Sequence, residues 1–207
     1  MVKLPPSFWL IAPYAAWMAL MTLLPATVGG YAVRTAVVAA LLAAAWLGRK
    51  TQDERREPCL SSAVSRLAAS LLPGFLIGLA VFVMWILPEQ FDWAWYRTFC
   101  IIGEGGTQAV AEASVAMIAV RLVGSAFVIS VAEELFFRKW LIGFAGFWWM
   151  VGLFAVEHDR WLVAALCGMI YGWLYLRKGL LSAIVAHATT NLVLGLWVLK
   201  SGQWQFW

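Results

Sequence analysis

The chain has 207 residues, of which 63% are hydrophobic and only 13% are charged, and its formal net charge is +4. Soluble domains carry roughly a quarter charged residues, so this composition excludes an ordinary water-soluble domain and indicates an integral membrane protein. The basic residues are spread over connecting segments without interleaved aromatic residues, which argues against nucleic-acid binding.

Seven apolar segments are long enough for helical membrane spans, which need about 20 residues each. The first lacks a convincing small-residue cleavage site, so we expect a span there rather than a signal peptide. The alternation of outer-membrane strands is absent. We therefore predict an all-α fold, a polytopic transmembrane helical bundle in contact with membrane lipids, with residues 1–207 forming one membrane domain. The predicted spans are 8–25, 31–48, 64–87, 113–137, 141–157, 161–176 and 180–199.

Two connecting segments set the predicted orientation. The segment 49–60 carries Arg49, Lys50, Arg55 and Arg56, whereas 88–112 carries four acidic residues and one arginine. Cytoplasmic connections of membrane proteins are enriched in lysine and arginine. We therefore expect 49–60 in the cytoplasm, 88–112 on the other side and the N-terminus in the cytoplasm.

Polar clusters interrupt the apolar sequence in the last third of the chain. Burying an ionisable group in hydrocarbon costs several kcal/mol unless such groups serve one another. Glu134 and Arg138 are spaced i and i+4, so they can pair along one helix face. Glu133 points about 100° away on the same helix. It is free to hold a water as a general base.

The two histidines complete this set of residues. His187 and Asn191 are also spaced i and i+4, and together they can bind a developing oxyanion. His158 is expected to share the water with Glu133. Two histidines and a carboxylate can instead form a catalytic zinc set of Glu133, His158 and His187, although the compact His-Glu-x-x-His arrangement is missing. We favour metal-free water activation with no cofactor.

These clusters resemble the three motifs of the CAAX-processing and bacteriocin-immunity (CPBP) family, intramembrane glutamic endopeptidases related to the type II CAAX prenyl endopeptidase. The resemblance covers roughly residues 120–195 and implies cleavage of a peptide bond in a membrane-associated protein or peptide. In chain order, the motifs are Glu133-Glu134-x-x-x-Arg138, Phe154-x-x-x-His158 and His187-x-x-x-Asn191. The roles that the resemblance implies are water activation by Glu133 and His158, an oxyanion hole of His187 and Asn191, and orientation of the site by Glu134 and Arg138.

A further likeness concerns the subgroup. Glu157, His158, Trp161 and the segments 186–192 and 202–207 are similar to CAAX protease-related proteins of bacteria with exosortase-type protein sorting. This likeness implies a multi-pass protein of the cell inner (plasma) membrane. It also points toward sorted export proteins, or toward no known substrate, rather than toward a prenylated CAAX tail. The substrate that we expect is a lipid-anchored or membrane-inserted protein segment.

The spacing between the first two motifs raises a structural question. Fifteen residues separate Arg138 from Phe154, and a full span at 141–157 would carry His158 away from Glu133. A break at Gly143 and Gly146 avoids this, because it leaves 147–158 as a short helix ending at mid-depth. Asp159 and Arg160 would then occupy a polar cavity, as a pair.

Two other functions are compatible with buried polar residues. The chain is a non-enzymatic immunity or scaffold protein if the cluster serves only to bind a partner. It is a small proton-coupled transporter if the carboxylates form a relay, which requires a polar path between both faces. A protease requires a cavity that opens on one side. The oligomeric state does not follow from the sequence.

Overall fold

The computed structural model describes residues 5–53, 60–102 and 114–206, and all regular structure in these ranges is helical. Side chains are described for 5–47, 69–102 and 114–206. The predicted all-α membrane bundle is confirmed. The helices are α1 (Phe8–Leu23), α2 (Val28–Asp53), α3 (Leu60–Gln90), α4 (Ala94–Cys100), α5 (Val115–Ala145), α6 (Phe147–Val156), α7 (Trp161–Lys178) and α8 (Leu180–Ser201), followed by a 3₁₀ turn at Trp204–Phe206.

Four helices in the described ranges are long and apolar enough to cross a membrane: Val28–Leu47, Ala69–Gln90, Val115–Ala145 and Leu180–Ser201. Helix α1 has 16 residues and α6 has 10, which is shorter than a full span. The expected number of about seven spans therefore stays a prediction. The same holds for a single domain over 1–207.

Helices α3 and α8 pack closely and in parallel. A Cβ atom added to Gly74 would lie 2.7 Å from the Ser182 carbonyl oxygen, and one added to Gly78 would lie 2.5 Å from that of Ala186. Small residues of this kind let helix backbones approach one another in membranes. The contact fixes the depth of the α8 segment that carries the second histidine.

Helix α5 contains two π-helical segments, Gly124–Ile129 and Glu134–Leu141. Such turns are rare in helices and often occur at functional sites. In the first segment, the Ser125 carbonyl oxygen accepts hydrogen bonds from the Ser130 hydroxyl at 2.9 Å and the Asn191 amide at 3.1 Å. Two side chains, one from α5 itself and one from α8, thus bind a single carbonyl of this irregular segment. Of the two glutamates of the first motif, Glu133 lies directly before the second π-helical segment and Glu134 is its first residue.

The predicted helix break occurs at Gly146, whose φ of 94° is in the region that favours glycine. Gly143 lies inside the preceding helical turn. Helix α6 then packs antiparallel against α7, with Val151 and Phe154 beside Gly168. The predicted break between α5 and a short α6 is therefore confirmed.

The end of α6 differs from the expectation. Arg160 forms its ion pair with Glu89, near the end of α3, and not with Asp159. Both side chains of this pair are nearly buried. The Ile102 N–H also donates to the Asp159 carbonyl oxygen at 2.7 Å. The turn after α6 therefore lies beside the last turn of α3 rather than halfway along it, because Glu89 supplies the carboxylate that a buried arginine needs.

Candidate active site

A fully buried ion pair lies at the base of the candidate site. Helix α5 places Glu134 and Arg138 one turn apart, and Arg138 Nη1 lies 3.1 Å from Glu134 Oε1, with both side chains 0% exposed. The guanidinium also lies over the Phe154 ring, 4.3 Å from its centroid, and 5.5 Å from that of Tyr171. The guanidinium nitrogens have no hydrogen-bond partner among the described residues, and the cation–π contacts stabilise the charge in addition to the ion pair. The pairing predicted from the i, i+4 spacing is present.

His187 is attached to the same carboxylate. Its Nδ1 lies 2.9 Å from Glu134 Oε1, and its ring stacks on Tyr171 with 5.2 Å between centroids. A ring that donates from Nδ1 presents Nε2 on its other side. Here Nε2 faces Glu133, at 3.7 Å from Oε2. That distance is too long for a hydrogen bond, so a small third group can contact both atoms.

Glu133 faces a cavity. Its side chain is 14% exposed, and its Oε2 has no hydrogen-bond partner among the described residues. The cavity has a volume of about 190 Å³, and His158, His187 and Asn191 also line it. This space is large enough for several water molecules, since a water needs about 10–15 Å³ by such a measure. A buried carboxylate oxygen next to water-accessible space is a suitable general base.

His158 reaches this cavity by turning back along α6. Its Nδ1 lies 2.8 Å from the Phe154 carbonyl oxygen, and its ring lies between Phe154 and Trp85, at 4.7 and 5.7 Å between centroids. The contact with the carbonyl makes Nδ1 a donor and leaves Nε2 as an acceptor. Burial lowers the pKa of His158, because the charged ring loses its hydration. A neutral ring can accept a proton or orient a water.

Asn191 lines the cavity, but its amide group has other partners. Its Nδ2 donates to the Ser125 carbonyl oxygen at 3.1 Å and to the Ser130 hydroxyl at 3.0 Å. Both N–H groups are therefore in use. An oxyanion would have to displace one of these acceptors to bind Asn191 in the predicted manner.

Phe206 closes one side of the cavity. It belongs to the turn after α8 and is 8% exposed. Its ring packs under the Arg160 guanidinium, 4.7 Å from the centroid. The ion pair at the end of α3 thus also holds the aromatic wall of the candidate site.

Several supporting residues were not predicted. The Tyr171 hydroxyl donates to Thr190 at 2.7 Å, and the Thr190 hydroxyl lies 2.9 Å from the Gly78 carbonyl oxygen on α3. Thr190 follows His187 by three residues, and Ser130 precedes Glu133 by three. Helical spacing could have indicated both of these residues. No spacing or motif in the sequence indicates that Tyr171 belongs to the site.

The zinc alternative does not fit this arrangement. Among the side chains that the structure describes, no three from His, Cys, Asp and Glu are placed to hold a metal ion. Glu133, His158 and His187 share a cavity without converging on one point. We therefore derive no step through a metal.

Part of the chain matches a known protein family. The family model described as Type II CAAX prenyl endopeptidase Rce1-like matches residues 115–193. This range begins at α5 and includes all six residues predicted for the site. No curated protein and no solved structure matches the chain. The exosortase-related subgroup therefore stays a prediction. Residues 115–193 of the chain are therefore similar to the Rce1-like type II CAAX prenyl endopeptidases, a family of proteases.

Proposed function

We propose that this protein hydrolyses a peptide bond in a membrane-associated protein, with a water activated by Glu133 and His158. One observation carries the proposal: Glu133, His158 and His187 line one cavity, directly beside a fully buried ion pair that orients His187. Such a set of ionisable groups is costly in an apolar bundle. A scaffold has no use for an unpaired carboxylate oxygen at a cavity wall.

The proposed reaction uses two atoms that can accept a hydrogen bond from water, Glu133 Oε2 and His158 Nε2. Glu133 Oε2 takes a proton from the water while His158 Nε2 orients it, and the water oxygen attacks the carbonyl carbon of the substrate. A C–O bond forms, and the carbonyl electron pair moves to oxygen. When the tetrahedral intermediate collapses, the C–N bond breaks and Glu133 returns the proton to the leaving amine. No covalent enzyme intermediate is needed.

His187 is assigned to the oxyanion. Because Nδ1 is bonded to Glu134, the ring can donate from Nε2 only as an imidazolium. That cation would lie between the carboxylates of Glu133 and Glu134. Asn191 would add a second donor after leaving the Ser130 hydroxyl. Donors of this kind contribute about 2.7–4 kcal/mol each to transition-state stabilisation.

The substrate that we propose is a lipid-anchored or membrane-inserted protein segment. The candidate site lies among apolar helices, so a segment held at the membrane reaches it at high local concentration. The cell inner (plasma) membrane is the location that we propose, from the exosortase-related likeness. The N-terminus is proposed to be cytoplasmic, on the basis of the basic segment 49–60.

Proteolysis with purified protein tests the function. The wild type and Glu133→Gln are each incubated with a solubilised bacterial membrane-protein extract, and new peptide N-termini are identified by mass spectrometry. Arg97→Gln is the control, because Arg97 pairs with Asp92 at the surface, far from the site in sequence and with a 54% exposed side chain. We expect new N-termini with the wild type and the control only. Equal products from Glu133→Gln, or none from the wild type, would contradict the proposal.

A further inference from the structure

A second cavity lies between α1, α2 and α5, and neither the two histidines nor the two glutamates of the candidate site line it. It has a volume of about 180 Å³ and includes Tyr31, Arg34 and Arg121 in its lining. Apolar side chains, among them Trp17 and Met21, form much of the remaining wall. The proposed hydrolysis uses none of these residues.

The two arginines lie close together. The guanidinium carbon of Arg34 is 4.2 Å from the centroid of the Tyr31 ring, and that of Arg121 is 4.9 Å from the same centroid. Two cations that share one aromatic ring repel each other, and low dielectric surroundings strengthen that repulsion. An anion beside Arg34 would be attracted by both guanidinium groups.

Arg34 is held by neutral groups. It is 3% exposed, and it donates to the carbonyl oxygens of Gly30 at 3.3 Å and Pro25 at 3.4 Å. Within the described part of the chain, no ion pair involves Arg34. A buried guanidinium without a carboxylate is costly. Its position suggests that the counter-charge comes from a ligand.

A hydroxyl group adds to this evidence. Thr35 also lines the cavity, and its Oγ1 is buried with no hydrogen-bond partner among the described residues. A bound oxyanion would supply the missing acceptor. The lining therefore combines two guanidinium groups, one unsatisfied hydroxyl and an apolar wall. This combination suits an amphiphile with an anionic head.

The depth of the two arginines points to a lipid. Arg34 lies six residues after the start of α2 at Val28, and Arg121 lies six residues after the start of α5 at Val115. At 1.5 Å per residue, each is about 9 Å from the helix end. Arginine side chains at such positions reach toward the headgroup layer. The pocket thus lies within reach of lipid phosphates.

We propose that this pocket binds the phosphate of an anionic phospholipid between Arg34 and Arg121, with the apolar wall around Trp17 and Met21 receiving part of an acyl chain. Charge-assisted hydrogen bonds from arginine to phosphate are strong and often bidentate. The site accepts a phosphodiester that carries a net negative charge, and it discriminates against a zwitterionic headgroup.

Native mass spectrometry of the full chain in a neutral detergent tests this proposal. The probes are phosphatidylglycerol, phosphatidylcholine and inorganic phosphate, each titrated separately. We expect one tightly bound phosphatidylglycerol, at least about tenfold weaker binding of phosphatidylcholine, and no retained inorganic phosphate. Stoichiometric retention of inorganic phosphate would overturn the lipid assignment, and equal binding of both lipids would overturn the charge selectivity.

Substitutions of the two arginines test whether the lipid binds in this pocket. Arg34→Gln and Arg121→Gln should each weaken phosphatidylglycerol binding by at least about tenfold, whereas Arg34→Lys should retain part of it because the charge remains. Arg97→Gln is the matched control, since it removes a guanidinium outside the pocket. Unchanged binding in Arg121→Gln would contradict the proposal even if Arg34→Gln failed to fold. The result is independent of proteolysis, because lipid retention needs no activity.

Discussion

The buried pair of Glu134 and Arg138 offers a sharp test of how the site is held. Replacing Glu134 by Gln keeps the shape of the side chain but removes its charge. The Arg138 guanidinium, 0% exposed, then has no carboxylate in an ion pair with it among the described residues. His187 Nδ1 also loses a charged acceptor at 2.9 Å. We expect both stability and activity to fall.

The magnitude follows from the burial. Removing one partner of a buried ion pair costs about 3–5 kcal/mol, because the other charge stays uncompensated. At 1.4 kcal/mol per tenfold change, that is about two to four powers of ten in the unfolding equilibrium constant. The free energy of unfolding is measured by titrating mixed micelles with a denaturing detergent. The double variant Glu134→Gln/Arg138→Met should recover most of the stability, since it leaves no lone charge.

An exposed ion pair provides the matched control. Arg97 and Asp92 lie 2.8 Å apart with side chains 54% and 74% exposed. Asp92→Asn should therefore change stability by less than about 1 kcal/mol. The double variant at 134 and 138 should still cleave slowly, because His187 lacks its carboxylate. If Glu134→Gln were as stable as Asp92→Asn, the ion pair would not be buried as described and the reasoning would fail.

Three further outcomes are expected. Gly78→Ala should lower the free energy of unfolding by about 1–3 kcal/mol through overpacking against α8, measured by the same detergent titration. Gly152→Ala is the control. A Cβ at Gly152 meets nothing within 4 Å, so this change should be neutral or slightly stabilising. Asn191→Ala should lower kcat. It should also destabilise the protein by about 1–3 kcal/mol, because the Ser125 carbonyl and the Ser130 hydroxyl each lose the Asn191 amide as a donor. An unchanged kcat would show that Asn191 does not belong to the oxyanion hole. Chelator treatment should leave cleavage unchanged, with no zinc found by elemental analysis; stoichiometric zinc lost in Glu133→Ala would revive the zinc alternative.

Local spacing and composition predicted the parts of the structure that depend on short-range geometry. In a membrane every backbone polar group must be satisfied internally, which leaves helices or the strands of a closed barrel. The apolar segments lack the alternation of barrel strands, so helices remained. The i, i+4 spacing predicted the pair of Glu134 and Arg138. The short distance between two motifs, together with two glycines, predicted the break that occurs at Gly146. Each of these predictions uses residues within about 15 positions of one another.

The parts that could not be predicted depend on contacts between distant segments. His187 lies 53 residues from its partner Glu134, and Arg160 lies 71 residues from Glu89. No periodicity in the sequence indicates such pairs. The π-helical segments of α5 were also unpredicted, because an i→i+5 turn has no residue signature comparable to a cap. They matter because they draw Asn191 toward the Ser125 carbonyl.

A double-mutant cycle on Glu133 and His158 tests whether both residues act on one water. The value of kcat/KM is measured for the wild type, Glu133→Gln, His158→Gln and the double variant, on a peptide identified in the proteolysis experiment. Each single change should lower kcat/KM by about 10²–10⁴. The double variant should lose no more than the more damaging single variant, because the two residues act as a unit. If the two losses multiply, or if His158→Gln retains full activity, the shared water does not exist.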